Sequence, residues 1–204
     1  MADPSFQGVT PQLVLASGSP RRRQLLEEAG YKFEIILPSV PEVSSPWLTI
    51  RETTMCNAMR KAAEVARITT GAVVLGADTL VTLDGRVIGK PADLTDATKI
   101  LRRLSGRVHE VWTSVFICHA GSGQTQSFQE ISHVHFRKLN QRAIANYLAK
   151  VDPLDKAGAY AAQGYGIEII ERIEGSYTNV VGLPMEETER VLRAFGITAR
   201  LNPT

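Results

Sequence analysis

Cysteine and histidine are scarce in this chain, at two and four of its 204 residues. Cys56 and Cys118 stand far apart in a helix-like and a strand-like context, with no paired spacing. That excludes a disulfide scaffold or a zinc knuckle and suits two buried thiols in a reducing compartment. His133 and His135 share one face of a strand-like run, and two such ligands without a third in reach describe a polar sheet face better than a metal centre. An excess of one charge is also missing. With 23 basic and 21 acidic residues the net charge is +2, too little for sequence-independent binding to nucleic acid, so any affinity for anions must come from local clusters. No apolar run approaches the ~18 residues of a membrane span, and Met1 to Pro11 has neither the basic start nor the apolar stretch of a secretory signal. The expected location is therefore the cytoplasm, with no membrane partner. Gly121 and Gly123 belong to a turn with no helix behind it and are not a dinucleotide fingerprint. No repeat is present, and 44% hydrophobic with 22% charged residues fits an ordinary globular chain, long enough for one large domain or a two-lobed one.

What is present starts at Leu13. Leu13, Val14 and Leu15 read as a buried strand, Ala16 to Gly18 as a tight exit, and Ser19 as the N-cap of a helix with Pro20 in its first position and Gly30 past its end. Arg21, Arg22 and Arg23 fill the first turn, where the helix dipole favours acids and each exposed cation costs about 0.3 to 1 kcal/mol. Two explanations stand side by side. The turn is either a solvated basic start, or a seat for phosphate built from free N–H groups, the hydroxyls of Ser17 and Ser19, and guanidinium groups.

Further along, Phe33 to Leu37 reads as a strand and the following polar loop carries one acid, Glu42. Thr49 and Glu52 have capping-box spacing, and the helix they open runs to about Arg67 with Met55, Ala58, Met59, Ala62 and Ala66 on one face and Lys61 at its edge. Ala72 to Leu75 is a central strand that ends in Gly76, Ala77, Asp78 and Thr79. Asp84-Gly85 then makes a type I′ hairpin turn. Counting back from that turn sets Lys90 opposite Thr79 and beside Asp78, an acid and a base brought together either as a structural ion pair or as part of a site. A helix from about Thr95 to Leu104 precedes two long strands, near Val108 to Cys118 and Gln126 to Phe136, and Asn140 caps a helix to Lys150. Val151 to Gly166 sets Asp155, Lys156, Tyr160 and Gln163 among small residues and glycines, the pattern either of an ordinary loop or of one that brings polar groups to a ligand. A strand from Ile167 to Ile173 and a last helix ending at Gly196 complete the reading, and the residues after Leu201 are expected to be loose.

These segments, in order, resemble the Maf-type nucleotide pyrophosphatases from about Leu13 to Phe195. The resemblance rests on ASGSPRR (Ala16 to Arg22), Glu42, Lys61, GADT (Gly76 to Thr79), GKP (Gly89 to Pro91), DKAGAYAAQG (Asp155 to Gly164) and GSYTNVVGLP (Gly175 to Pro184). It implies an α/β fold with a curved mixed sheet flanked by helices and two lobes around a central cleft. The implied division is an N-terminal tail of residues 1–12 and a single domain over 13–200, with a homodimer as the expected assembly. The implied reaction is hydrolysis of a nucleoside triphosphate between its α and β phosphates with a divalent cation, Mg2+ or Mn2+. By the same resemblance Asp78, Lys61 and Lys90 are catalytic, Ser17, Ser19, Arg21, Arg22, Thr79 and Gln163 bind substrate, and Glu42 and Asp78 hold the metal. Arg21, Thr79 and Gln163 match the group acting on dTTP and UTP, and a Gln amide offers the donor and acceptor that a uracil or thymine edge needs. The same reaction on 7-methyl-GTP or another purine nucleotide, and a weakly catalytic nucleotide-binding regulator of cell division, are the alternatives. Two positions depart from the family pattern: Pro41 replaces an acid before Glu42, and Cys56 replaces an arginine five residues before Lys61.

Overall fold

Three consecutive apolar residues can only be buried on both faces, and Leu13–Leu15 (β1) is the inner strand this requires. The computed structural model describes residues 11–200; the expected tail falls outside the described residues except for Pro11 and Gln12, as do residues 201–204. Strand β1 pairs in parallel with Phe33–Ile35 (β2) on one side and with Val73–Leu83 (β3) on the other. Arg86–Ile88 (β4), Val108–His119 (β5), Thr125–Phe136 (β6) and Ile170–Glu174 (β7) complete a seven-stranded mixed sheet in the order β2-β1-β3-β5-β6-β7, with β4 added to β3.

Strand β3 differs from the sequence expectation in a way that matters. Rather than stopping at Leu75, it runs through Gly76, Ala77, Asp78 and Thr79 for 11 residues. These positions stay extended because their backbone is laddered to β5, with Asp78 opposite Ser114 and Thr79 opposite Thr113. The Asp84-Gly85 turn has φ of 52° and 71°, the left-handed pair that a type I′ hairpin needs. Its ladder, however, ends at Val81 opposite Ile88, so Lys90 lies beyond the strand and not across from Thr79.

The two edges of β3 are unequal. One is paired to β5 along its length, whereas the other carries β1 at Val73 to Leu75 and β4 at Val81 to Leu83. Between those partners, among the described residues, the edge from Gly76 to Leu80 has no strand beside it, and here the sheet parts. The core divides at the same place. Leu13, Leu15, Val73, Leu75 and Ala77 pack with the helices Pro20–Glu28 (α1) and Met185–Ala194 (α6) in one lobe. Val81, Leu83 and Ile88 pack in the other with Leu94–Leu104 (α3) and Gln141–Leu148 (α4).

The opposite sheet face is covered by Ile50–Ala66 (α2), started by the Thr49/Glu52 capping box. It lies so close to β3 that a Cβ at Gly76 would fall against the Ala58 carbonyl and 2.8 Å from the Ala62 nitrogen. Its inward face is more polar than the sequence pattern suggested: Thr54 and Asn57 are buried with Ala58 and Ala62, while Met59 is exposed. Thr54 is held by Ser114 of β5 at 2.7 Å and by Gln129 of β6 at 2.9 Å. A smaller correction concerns the end of the chain. Ile167 is exposed in a 3-10 turn (Gly164–Glu168), so β7 begins only at Ile170; a short helix, Tyr177–Val181 (α5), follows it. Among the described residues no helix is long and apolar enough to cross a membrane.

Candidate active site

The gap in β3 opens into a cleft of ≈ 700 Å3 between the lobes. Ser17 to Arg22 enter it from the end of β1 and the start of α1, Asp78 to Val81 from the gap itself, Glu42 from the loop before α2, Lys61 from α2, and Gly89 and Lys90 from the end of β4. Asp155 to Ala157 and Tyr160 to Ala162 close it from the other lobe. Arg21, Arg22, Lys61, Lys90 and Lys156 thus face only Glu42, Asp78 and Asp155, a surplus of positive charge in a concave wall that favours a multiply charged anion. Elsewhere the lining includes Leu80, Val81, Tyr160, Ala161, Ala162 and Val180, a mostly apolar surface suited to a flat ring.

Because successive strand residues point to opposite faces, Asp78 and Thr79 have different neighbours. Asp78 turns toward α2 and is buried, 5% exposed. Its Oδ1 accepts from Lys61 Nζ at 2.7 Å and its Oδ2 from Asn57 Nδ2 at 3.2 Å. The Lys61 ammonium also reaches Glu42 Oε1 at 2.8 Å and so bridges the two acids. That hydrogen bond, with the nearby charges of Lys90 and Arg22, holds the Glu42 carboxyl below the usual carboxylate range. The partner of Asp78 is therefore Lys61 and not Lys90. Lys90 is an exposed residue on the cleft wall, and among the described residues it makes no salt bridge.

The three arginines of α1 separate completely. Arg23 is exposed and bonds Glu27 one turn on, at 2.7 Å. Arg21 reaches across the cleft mouth to Asp155 at 3.2 Å; burial pushes that carboxyl up, but Lys156 and Arg21 together hold it below its ordinary value. Arg22 is buried and faces the gap. It donates to the Gly182 carbonyl at 2.8 Å, the Ala77 carbonyl at 2.9 Å, Thr79 Oγ1 at 3.0 Å and Ser17 Oγ at 3.1 Å. The bond to Ala77 stands in for the missing strand partner, and one of its five N–H groups is left for a ligand. Ser17 and Ser19 hold the turn itself, Ser17 Oγ accepting from the Ser19 amide at 3.2 Å and Ser19 capping α1. Gln163 follows the lining residues Ala161 and Ala162 but is not among them; its amide turns toward Gln24 Oε1 at 3.4 Å.

Two groups behind the cleft wall escaped the sequence reading. Asn57 lay unmarked inside a helix, although a polar residue four positions before Lys61 shares its face. His109 lay unmarked in a long strand; its Nε2 is 2.7 Å from the hydroxyl of Tyr160, and both rings pack edge-on against Phe136 beneath the cleft. Burial drives the His109 imidazole down to about 4 and raises the Tyr160 phenol, so both are neutral.

A family model described as Maf-like protein matches residues 12–195 of the chain. A protein of Pelotomaculum thermopropionicum named dTTP/UTP pyrophosphatase is 45% identical over 185 residues, which is 91% of this chain and 97% of that protein. One of Bacillus anthracis with the same name is 42% identical over 186 residues, 91% of this chain and 96% of that protein. The solved Staphylococcus aureus Ham1 protein overlays with a TM-score of 0.43 and 16% identity, covering 61% of this chain and 71% of that one.

Proposed function

The chain belongs to the Maf-like protein family, and from that starting point we propose that it hydrolyses dTTP and UTP to the monophosphate and pyrophosphate in the cytoplasm, a house-cleaning role in the nucleotide pool. The observation that carries this reading is the convergence of Lys61, Asp78 and Glu42 on one side of the sheet gap, with Arg21 and the start of α1 on the other side of the same cleft. The triphosphate lies against the α1 turn, Lys61 and Lys90, and the base lies toward Tyr160, Ala161 and Val180, with Gln163 at the rim for its polar edge. Water adds to the α-phosphorus, the bond from that phosphorus to the α–β bridging oxygen breaks, and pyrophosphate leaves. Asp78 orients the water and takes its proton, while Lys61 and Lys90 balance the charge that grows on the phosphate oxygens.

A divalent cation, Mg2+ or Mn2+, is part of the proposal. The donor set fits one: the Asp78 and Glu42 carboxylates converge on a single ammonium, so two oxygen ligands already face one cation position. Two carboxylates completed by phosphate oxygens are a usual magnesium arrangement. When bound, the ion supplies neutralising charge to the phosphate chain. A panel of nucleoside triphosphates incubated with the protein and Mg2+ or Mn2+ tests the reading: monophosphate and pyrophosphate from dTTP and UTP are expected, and release of orthophosphate would overturn it. Sedimentation of the same sample tests the homodimer that the family likeness suggests.

A further inference from the structure

The stretch Ile36 to Thr49 carries Glu42 but contains no helix or strand, so something else must fix that carboxylate opposite Asp78. Three side chains of α2 do it. Glu64 accepts from the amides of Ser39 and Val40 at 2.6 and 3.1 Å, Lys61 holds Glu42 itself, and Asn57 takes both backbone groups of Val43. Its Oδ1 accepts from the Val43 amide at 2.7 Å, and its Nδ2 donates to the Val43 carbonyl at 3.2 Å. Asn57, Lys61 and Glu64 are spaced i, i+4, i+7, one stripe along the helix. Of the three, Asn57 alone grips the loop backbone and Asp78 together, through the second hydrogen of Nδ2. The amide can stand only one way round: reversed, it would set its oxygen against the Asp78 carboxylate and its N–H groups against the Val43 N–H. Asn57 is 3% exposed, so water does not replace these bonds.

The geometry points to Asn57 as a positioning residue that sets the separation of Glu42 and Asp78 for a divalent cation and the phosphate chain, an inference that rests on the function proposed above. Lys61 also touches both acids, but its charge is needed by the phosphates once substrate enters. When the ammonium turns to them and before a cation sits between the two carboxylates, these repel across the cleft, and the uncharged Asn57 bridge, with Glu64 on Ser39 and Val40, keeps the Glu42 loop from moving away. Groups of this kind, one step behind the ligands, typically change metal affinity or turnover by about 10 to 100-fold when removed.

The test compares wild type with Asn57→Leu, which keeps side-chain size, and Asn57→Ala, which avoids any clash. Mn2+ alone is titrated and the free ion read by electron paramagnetic resonance, hydrogen exchange is followed at the Val43 amide, and kcat and KM for dTTP are measured separately. Expected are Mn2+ binding weakened by about 10 to 100-fold, faster exchange at Val43, and a loss carried by kcat with KM little changed. Faster exchange with Mn2+ affinity and kcat both unchanged would overturn the inference and leave Asn57 a purely structural clamp, as would wild-type protein with no affinity for Mn2+. Wild type that binds Mn2+ yet releases no pyrophosphate would overturn the proposed function instead, and the Mn2+ and exchange measurements would still judge the clamp.

Discussion

Replacing Arg22 by lysine separates two roles that one arginine at a helix start can play. At a solvated phosphate seat Arg22→Lys keeps the charge, changes stability by no more than about 0.5 kcal/mol, and shows itself only as weaker substrate binding. The structure predicts otherwise. Four acceptors, two of them main-chain carbonyls at Ala77 and Gly182, are served by one planar guanidinium that is 8% exposed. A lysine ammonium is a single point and reaches two of them at best. The hydroxyls of Ser17 and Thr79 can rotate to other partners, Thr79 already having Thr113 Oγ1 at 3.0 Å, but a carbonyl cannot. The two carbonyls are met by different nitrogens of the guanidinium, Nε and Nη1, so one ammonium leaves one of them bare; a buried group without a partner costs about 1 to 3 kcal/mol, and the variant should lose about that much. With a urea slope of about 2 kcal/mol/M that is a midpoint about 0.5 to 1.5 M lower. Turnover should fall as well, because the same bonds fix the turn that carries Ser17 and Arg21. A urea midpoint equal to wild type, with only KM raised, would refute the reasoning and make Arg22 a simple phosphate ligand.

Two further perturbations test the packing around the site. Gly76→Ala puts a Cβ against the α2 backbone; forcing that helix off the sheet should cost about 1 to 3 kcal/mol in urea unfolding and reduce kcat, since Asn57 and Lys61 ride on it, and an unchanged kcat would show that the helix need not lie so close. Acidification tests His109. Its folded pKa, about 4 through burial with a smaller push from His135, lies below the ordinary ~6.5 of the unfolded chain. Between those values the unfolded state binds the extra proton, so the stability is full above pH 6.5 and drains as pH falls toward 4. At pH 5 the loss is about 2 kcal/mol. Wild type should therefore lose about 2 kcal/mol more than His109→Gln between pH 7.5 and 5, and equal losses would refute the assignment.

How much of this was legible in the sequence depended on the range of the interaction concerned. The Ser19 cap, the capping box at Thr49 and Glu52, and the Asp84-Gly85 turn are settled within four residues, and the structure has each of them. The strand through Asp78 is different. Gly76 and Ala77 have low strand propensity and read as a break, yet they are held extended by β5, about forty residues on. Counting back from the hairpin therefore assumed that β4 kept its partner up to Lys90, whereas the ladder stops at Ile88 and the partner of Asp78 comes from α2.

The cleft itself is the least local feature of all. It exists because β1 and β4, from distant parts of the chain, both choose the same edge of β3 and between them do not fill it. A five-residue length of strand edge left open inside a sheet would normally be a liability, with carbonyls and amides unsatisfied. Arg22 caps one of those carbonyls from the side, which ties the first helix to the gap and explains why an arginine turn, a small-residue strand and a glycine at 182 belong together. The charge excess that looked misplaced at the start of α1 is thus divided by the fold into three uses: Arg23 for the helix surface, Arg22 for the gap, and Arg21 for the open cleft. Sequence spacing shows three arginines in a row; only the geometry of the parted sheet decides which of them an incoming phosphate can still reach.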